Sequence, residues 1–157
     1  MFKKTAFAAA AFASLAAGTA YAATTTTTLN TSVTIAPSCT SVSVPAIAFG
    51  TIGGTSSLQQ QSSTISVTCS SGTPFTLGLG RGAGVDTANR VLTGTTPSNT
   101  MTYQLTDGAG LNWDDIGGTH TLSGSGATTF AVFAKIPVQT QPAADTYSDT
   151  VIVTVSY

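Results

Sequence analysis

Apolar side chains along most of this chain recur at every second position, in one short run after another. Ile65, Val67 and Cys69 share one face of residues 62–69, and Phe75, Leu77 and Leu79 share one face of residues 74–79. Met101, Tyr103 and Leu105 repeat the pattern, and residues 111–113, 119–123, 129–136 and 147–157 read as further short strands. Successive side chains of a strand point to opposite faces, so each run buries one face and solvates the other. Asp107-Gly108, the run Gly124-Ser125-Gly126 and a loop over residues 137–145 supply breaks between them. No stretch beyond the first two dozen residues keeps a helical period. Short strands parted by Gly and Ser predict one all-β sandwich rather than βαβ units.

Charge narrows the function. Charged residues make up 7% of the chain, with six Asp, no Glu, and five cations scattered at Lys3, Lys4, Arg81, Arg90 and Lys135. Nucleic-acid binding needs clustered Lys and Arg to meet phosphates, and coiled coils need Glu, Lys and Leu throughout, so both classes are excluded. Hydrophobic content of 41% with so little charge is the opposite of a disordered chain.

Lys3 and Lys4 precede an apolar run over residues 5–17, and Ala20-Tyr21-Ala22 forms a small-x-small site. This is the pattern of a secretory signal cleaved after Ala22, and the run is too short for a membrane anchor. Residues 1–22 are set apart as a leader, which leaves 135 of the 157 residues for one exported domain. In an oxidising compartment the only two cysteines, Cys39 and Cys69, are expected to form a disulfide. Zinc would need four ligands, and beyond these two the chain offers only His120 and scattered Asp, so neither metal nor cofactor is expected.

The two ends carry the functional signal. Val151, Val153, Val155 and Tyr157 line one face of the last predicted strand, which no further strand is expected to cover. At the other end a Thr tract opens an extended arm, residues 23–36, ahead of the body at residues 37–157. The arm's odd positions, Thr27, Leu29, Thr31, Val33 and Ile35, form an apolar-leaning stripe, whereas Thr28, Asn30, Ser32 and Thr34 are all polar. Such an arm either forms the first strand of its own sandwich or adds to the sheet of a neighbouring molecule.

The order of these segments resembles a known family. Pro37-Ser38-Cys39-Thr40, Phe49-Gly50-Thr51-Ile52 and Ile65-Ser66-Val67-Thr68-Cys69 look like the spore coat protein U domain. So do Thr73-Pro74-Phe75-Thr76-Leu77, Tyr103-Gln104-Leu105, Trp113, residues 130–137 and the ending that begins Tyr147-Ser148-Asp149-Thr150. This domain is the pilin fold of archaic, Csu-type chaperone–usher pili. The resemblance implies an immunoglobulin-like sandwich lacking its final strand. A periplasmic chaperone would fill the gap first. At the outer-membrane usher, the arm of the next subunit would then replace it by donor-strand exchange, giving a homopolymer or a mixed fibre with other pilins. The implied role is a surface fimbria serving adhesion and biofilm formation. Two features depart from the pattern: Asp145 stands where relatives commonly carry Gly, and Thr27 and Thr31 are smaller and more polar than the best groove fillers.

No enzyme emerges from the remaining motifs. Gly78-Leu79-Gly80-Arg81-Gly82-Ala83 matches the loose dinucleotide fingerprint, but no helix N-terminus is expected after it to hold a pyrophosphate. Asp114-Asp115 sits in no calcium loop and reads as a solvated turn, and His120 has no nucleophile motif to serve. Neither nucleic acid nor a small-molecule substrate is expected as a partner. The competing function is a secreted monomeric binding module or coat component, which would present an aromatic platform to sugars; Trp113 is the only tryptophan. Closing the loop between Cys39 and Cys69 would stabilise by about 3–4 kcal/mol on the chain-entropy account. Thiol labelling of the denatured, unreduced protein should therefore find no reactive cysteine, and Cys69→Ser should lose stability by about that amount. Two reactive thiols in freshly purified material would contradict the bridge.

Overall fold

The structure, a computed structural model, describes residues 21–157; the expected leader lies outside that range except for its last two residues. The chain divides into two units, one ending at Thr34 and one running from Ile35 to Tyr157. In the first, residues 21–34 form neither helix nor strand, and all are exposed. In the second, the described residues form nine strands and no helix. These are β1 (Cys39–Ser43), β2 (Gln59–Cys69), β3 (Pro74–Leu79), β4 (Arg90–Gly94), β5 (Thr100–Thr106), β6 (Leu122–Ser125), β7 (Ala127–Ile136), β8 (Tyr147–Ser148) and β9 (Val153–Ser156).

Two antiparallel layers result. The larger sheet runs β1-β2-β7-β5-β4-β8, and the smaller runs β6-β3-β9. The inward faces are those of the period-two pattern: Ile65 and Val67 from β2, Phe75, Leu77 and Leu79 from β3, Met101, Tyr103 and Leu105 from β5, and Val132, Ala134 and Ile136 from β7. Trp113 is wholly buried among them, donates its indole N–H to the Leu77 carbonyl at 3.0 Å, and packs edge-on against Phe130. Cys39 and Cys69 face each other as register partners of β1 and β2 and are joined by a disulfide.

Several expectations need correction. The run at 147–157 is not one strand. Tyr147 and Ser148 pair with β4 in the large sheet, whereas residues 153–156 pair with β3 in the small one. Asp149 makes the turn between them: its Oδ1 accepts from the amides of Thr150 and Ala83, and its Oδ2 accepts from the Tyr103 hydroxyl at 2.6 Å. The stretch 111–113 forms only a single bridge, Thr106 to Asn112, because the Asp107 carboxylate gathers the amides of Ala109 and Leu111 into a tight loop. The break at 124–126 contracts to Gly126, at φ +61°, with Gly124 and Ser125 paired inside β6.

Two strands were hidden in the sequence. β1 is Ser- and Thr-rich and largely exposed, so it carries no alternation to read. β4 opens with Arg90, which looks like a surface residue but is completely buried. Its guanidinium donates from Nε to Gly80 O (2.9 Å), from Nη1 to Thr87 O (2.6 Å), and from Nη2 to Leu79 O and Trp113 O (2.7 Å each). Burial lowers its pKa from the ordinary guanidinium value, against the opposing pull of Tyr103, Asp114 and Asp149. A rigid fork of donors is what four convergent carbonyls require, and an ammonium could not span them. Arg90→Met keeps the bulk but leaves those carbonyls unpartnered, at a cost of roughly 1–3 kcal/mol for each one that stays dry. We expect a loss of at least about 3 kcal/mol in urea unfolding, and a loss below about 1 kcal/mol would contradict this role.

Candidate strand-acceptor cleft

A six-stranded layer is about 24 Å wide and a three-stranded one about 10 Å, from the spacing between paired strands. The small sheet therefore cannot cover the large one, and a strip of core remains open beside β9. This is a cleft of about 1020 Å³, lined by Leu92 from β4, Met101 and Leu105 from β5, Ala134 and Ile136 from β7, and Val153 from β9. β9 pairs with β3 through Leu79↔Val153, Gly78↔Thr154, Leu77↔Val155 and Thr76↔Ser156. Among the described residues no strand pairs with its other edge. Unpaired backbone donors and acceptors beside apolar side chains are the chemistry of a strand-binding edge.

The residues singled out at the chain's ends fall as follows. Val151 and Val153 are half-buried and line the cleft. Val155 is half-buried against the core, and Tyr157 is exposed beside a shallow depression formed with Phe75 and Gly124. Between them Ile152 is 72% exposed, but Thr154 is half-buried like its valine neighbours. In the arm Leu29, Val33 and Ile35 are 88%, 87% and 83% exposed, and Thr27 and Thr31 are exposed as well.

The walls are held by carboxylates that sequence reasoning did not single out as structural. Asp149 fixes the exit from β8, and its bond to Tyr103, together with burial, raises the phenol's pKa above its ordinary value, burial being the larger cause. Asp145, flagged only as a departure from Gly, clamps the β4–β5 turn. Its carboxylate accepts from the hydroxyl of Thr95, the amides of Thr96 and Thr146, and the side-chain amide of Asn99. These bonds, led by that of Thr95, hold its pKa well below the usual carboxylate range.

The apparent motifs acquire structural explanations. In the glycine-rich run, Gly78 lets the backbone of Asp115 and Ile116 cross β3, and Gly82, at φ +61°, leaves room for the Asp149 carboxylate. A Cβ at either position would overlap those atoms. Asp114 is not simply solvated: it accepts from the hydroxyls of Thr87 and Thr119 and from the amides of Thr119 and His120. His120 lies 3.0 Å from Asp107 through Nε2.

Two layers, a buried inter-sheet core and an open strip beside one edge strand define an incomplete immunoglobulin-like β-sandwich. The chain belongs to the Spore Coat Protein U domain family, whose profile matches residues 25–154. It is similar to a chain of the crystal structure of the CsuC–CsuE chaperone–tip adhesion subunit pre-assembly complex from archaic chaperone–usher Csu pili of Acinetobacter baumannii. That likeness has a TM-score of 0.58 at 24% identity and covers 79% of this chain but 40% of that one. No curated protein matches the chain.

The Asp145 clamp has a pH signature. A carboxylate whose folded pKa is depressed stabilises the fold above its unfolded value of about 3.9, and that stabilisation is lost as pH falls toward the lower folded value. Asp145→Asn should therefore lower the melting temperature at pH 7, and the gap to the parent should close below about pH 4. A gap that stays constant from pH 7 to pH 3 would contradict the clamp.

Proposed function

We propose that this chain is a structural, non-enzymatic subunit of a chaperone–usher surface pilus, and that its cleft is a strand-acceptor groove. The observation that carries the reading is the unpaired edge of β9 beside an apolar strip of core. A periplasmic chaperone fills the groove first, and at the outer-membrane usher the arm of another subunit replaces it. The arm, residues 23–36, is freed by cleavage after Ala22, and the body is residues 37–157. Thr27, Leu29, Thr31, Val33 and Ile35 enter the groove; Val153 and Val155 lie on the strand β9 that receives them, with Val151 and Tyr157 at its two ends. The fibre is a homopolymer or includes other pilins, is displayed at the cell surface, and serves adhesion and biofilm formation. Family membership supports this reading, as does the likeness to a structure whose own description is a chaperone–subunit complex. The rival binding module loses its best feature, because Trp113 is 0% exposed and offers no face for a sugar.

Parity gives the test. Only one set of alternate residues in a strand can face a groove, so the odd set enters and the even set faces solvent. Burying an aliphatic side chain is worth about 1.5–3 kcal/mol, and burying an unpaired carboxylate is strongly unfavourable. Val33→Asp should abolish fibres while chaperone binding persists; Thr34→Asp should assemble normally. Fibre yield by electron microscopy and chaperone co-purification are the two readouts. Equal effects of the two substitutions would overturn the donor-strand reading.

A further inference from the structure

The segment between β1 and Thr55 has the composition of a strand but pairs with nothing. Ile47 and Phe49 are half-buried, Ala46, Ala48 and Gly50 are exposed, and Ile52 is half-buried again. All three of these large side chains pack against the core cluster and line the cleft beside Val151 and Val153. Yet among the described residues no backbone–backbone hydrogen bond involves residues 44–54. One side-chain bond, from the Ser63 hydroxyl to Pro45 O at 2.9 Å, touches the segment's backbone near its start.

Both flanks, by contrast, are firmly tied. On one side β1 is paired to β2 and cross-linked through Cys39 and Cys69. On the other, buried Thr55 accepts from Gln139 N through its carbonyl and donates to Gln139 O through its hydroxyl, at 3.3 and 3.0 Å. Its amide donates to Gln141 Oε1 at 2.9 Å. The segment is thus a strap anchored at two points and held between them by the Ser63–Pro45 bond near its start and, beyond that, by apolar contact. Gly50 sits in the left-handed region at φ +67°, which favours glycine, and neither it nor Gly53 has an atom within 4 Å of where a Cβ would stand.

We propose that residues 44–54 are a displaceable cap on the groove: Ile47, Phe49 and Ile52 shield part of the open core in the uncomplemented subunit, and an incoming strand must lift them before it can seat. Apolar contacts without backbone bonds make such a cap cheap to open locally, which places it at the low-stability end of the fold. The flanking anchors return it to the same place. This rests on the strand-acceptor reading and adds that the receiving subunit itself sets the rate of strand entry.

The experiment follows a fluorescent peptide of residues 23–36 binding to the full mature chain at low concentration. Phe49→Ala with Ile52→Ala should speed uptake by about tenfold, because side chains of this size are each worth more than that factor when buried. Leu92→Ala enlarges the same cleft from β4 and should not speed entry. Uptake by the parent at a rate unchanged in the double variant would overturn the cap and leave the groove intact. No uptake by either chain would overturn the groove and the cap together. Should the double variant fail to fold, side-chain NMR of the parent decides. Peptide binding must shift the Ile47, Phe49 and Ile52 side-chain signals toward those of solvent-exposed residues while Val67 in β2 stays as it was, and unshifted strap signals would overturn the proposal.

Discussion

Among the described residues β9 is paired along one side only, with β3, and its other side is open beside an apolar strip of core. Everything distinctive about the molecule follows from how it arrives at that position. Asp149 ends the pairing of β8 with β4 by capturing the amides of Thr150 and Ala83 and the hydroxyl of Tyr103. The chain is thereby sent across to the small sheet, where β9 joins β3 as an edge. A three-stranded layer then faces a six-stranded one, and the uncovered strip is the cleft. Had residues 147–157 continued as a single strand, the large sheet would have gained a long edge and the small sheet would have lost its third strand.

The loops that frame this crossing are held by polar networks rather than by hydrophobic burial. Arg90 ties together the carbonyls of Leu79, Gly80, Thr87 and Trp113, which come from three separate stretches of chain. Asp145 ties the β4–β5 turn to the segment that leads into β8. In a chain with 7% charged residues, these few ionic groups serve as fasteners, each satisfied by several neutral partners instead of by an opposite charge. The buried charge of Arg90 is tolerable on those terms because four carbonyls accept from its guanidinium.

The core was legible in the sequence because it is written in period two. Ile65, Val67, Phe75, Leu77, Leu79, Met101, Tyr103 and Leu105 all lie inside, as their alternation predicts. Strands that depend on long-range partners were not legible. β1 exists through its pairing with β2 and the disulfide, and its own residues are mostly exposed Ser and Thr. β4 hides behind Arg90, since an isolated arginine gives no local hint of four carbonyls converging from elsewhere. The break at Asp149 was invisible for the same reason, as Tyr147 before it and Val151, Val153 and Val155 after it keep the parity of one strand. Of the residues singled out at the chain's end, Val153 and Val155 fall on β9, whereas Val151 precedes it and Tyr157 follows it. The strap over residues 44–54 could not be read from sequence, because Ile47, Phe49 and Ile52 act through a cleft that only the assembled sheets create.

The central claim is that the free edge of β9 is completed by another subunit's arm. A side-chain-resolution cryo-electron microscopy map of the assembled fibre tests it most directly. The account predicts a continuous strand of residues 27–35 from a neighbouring copy hydrogen-bonded along β9, with Leu29, Val33 and Ile35 turned into the cleft. A fibre in which the edge of β9 is bare, or in which each subunit's own arm lies along it, would contradict the account.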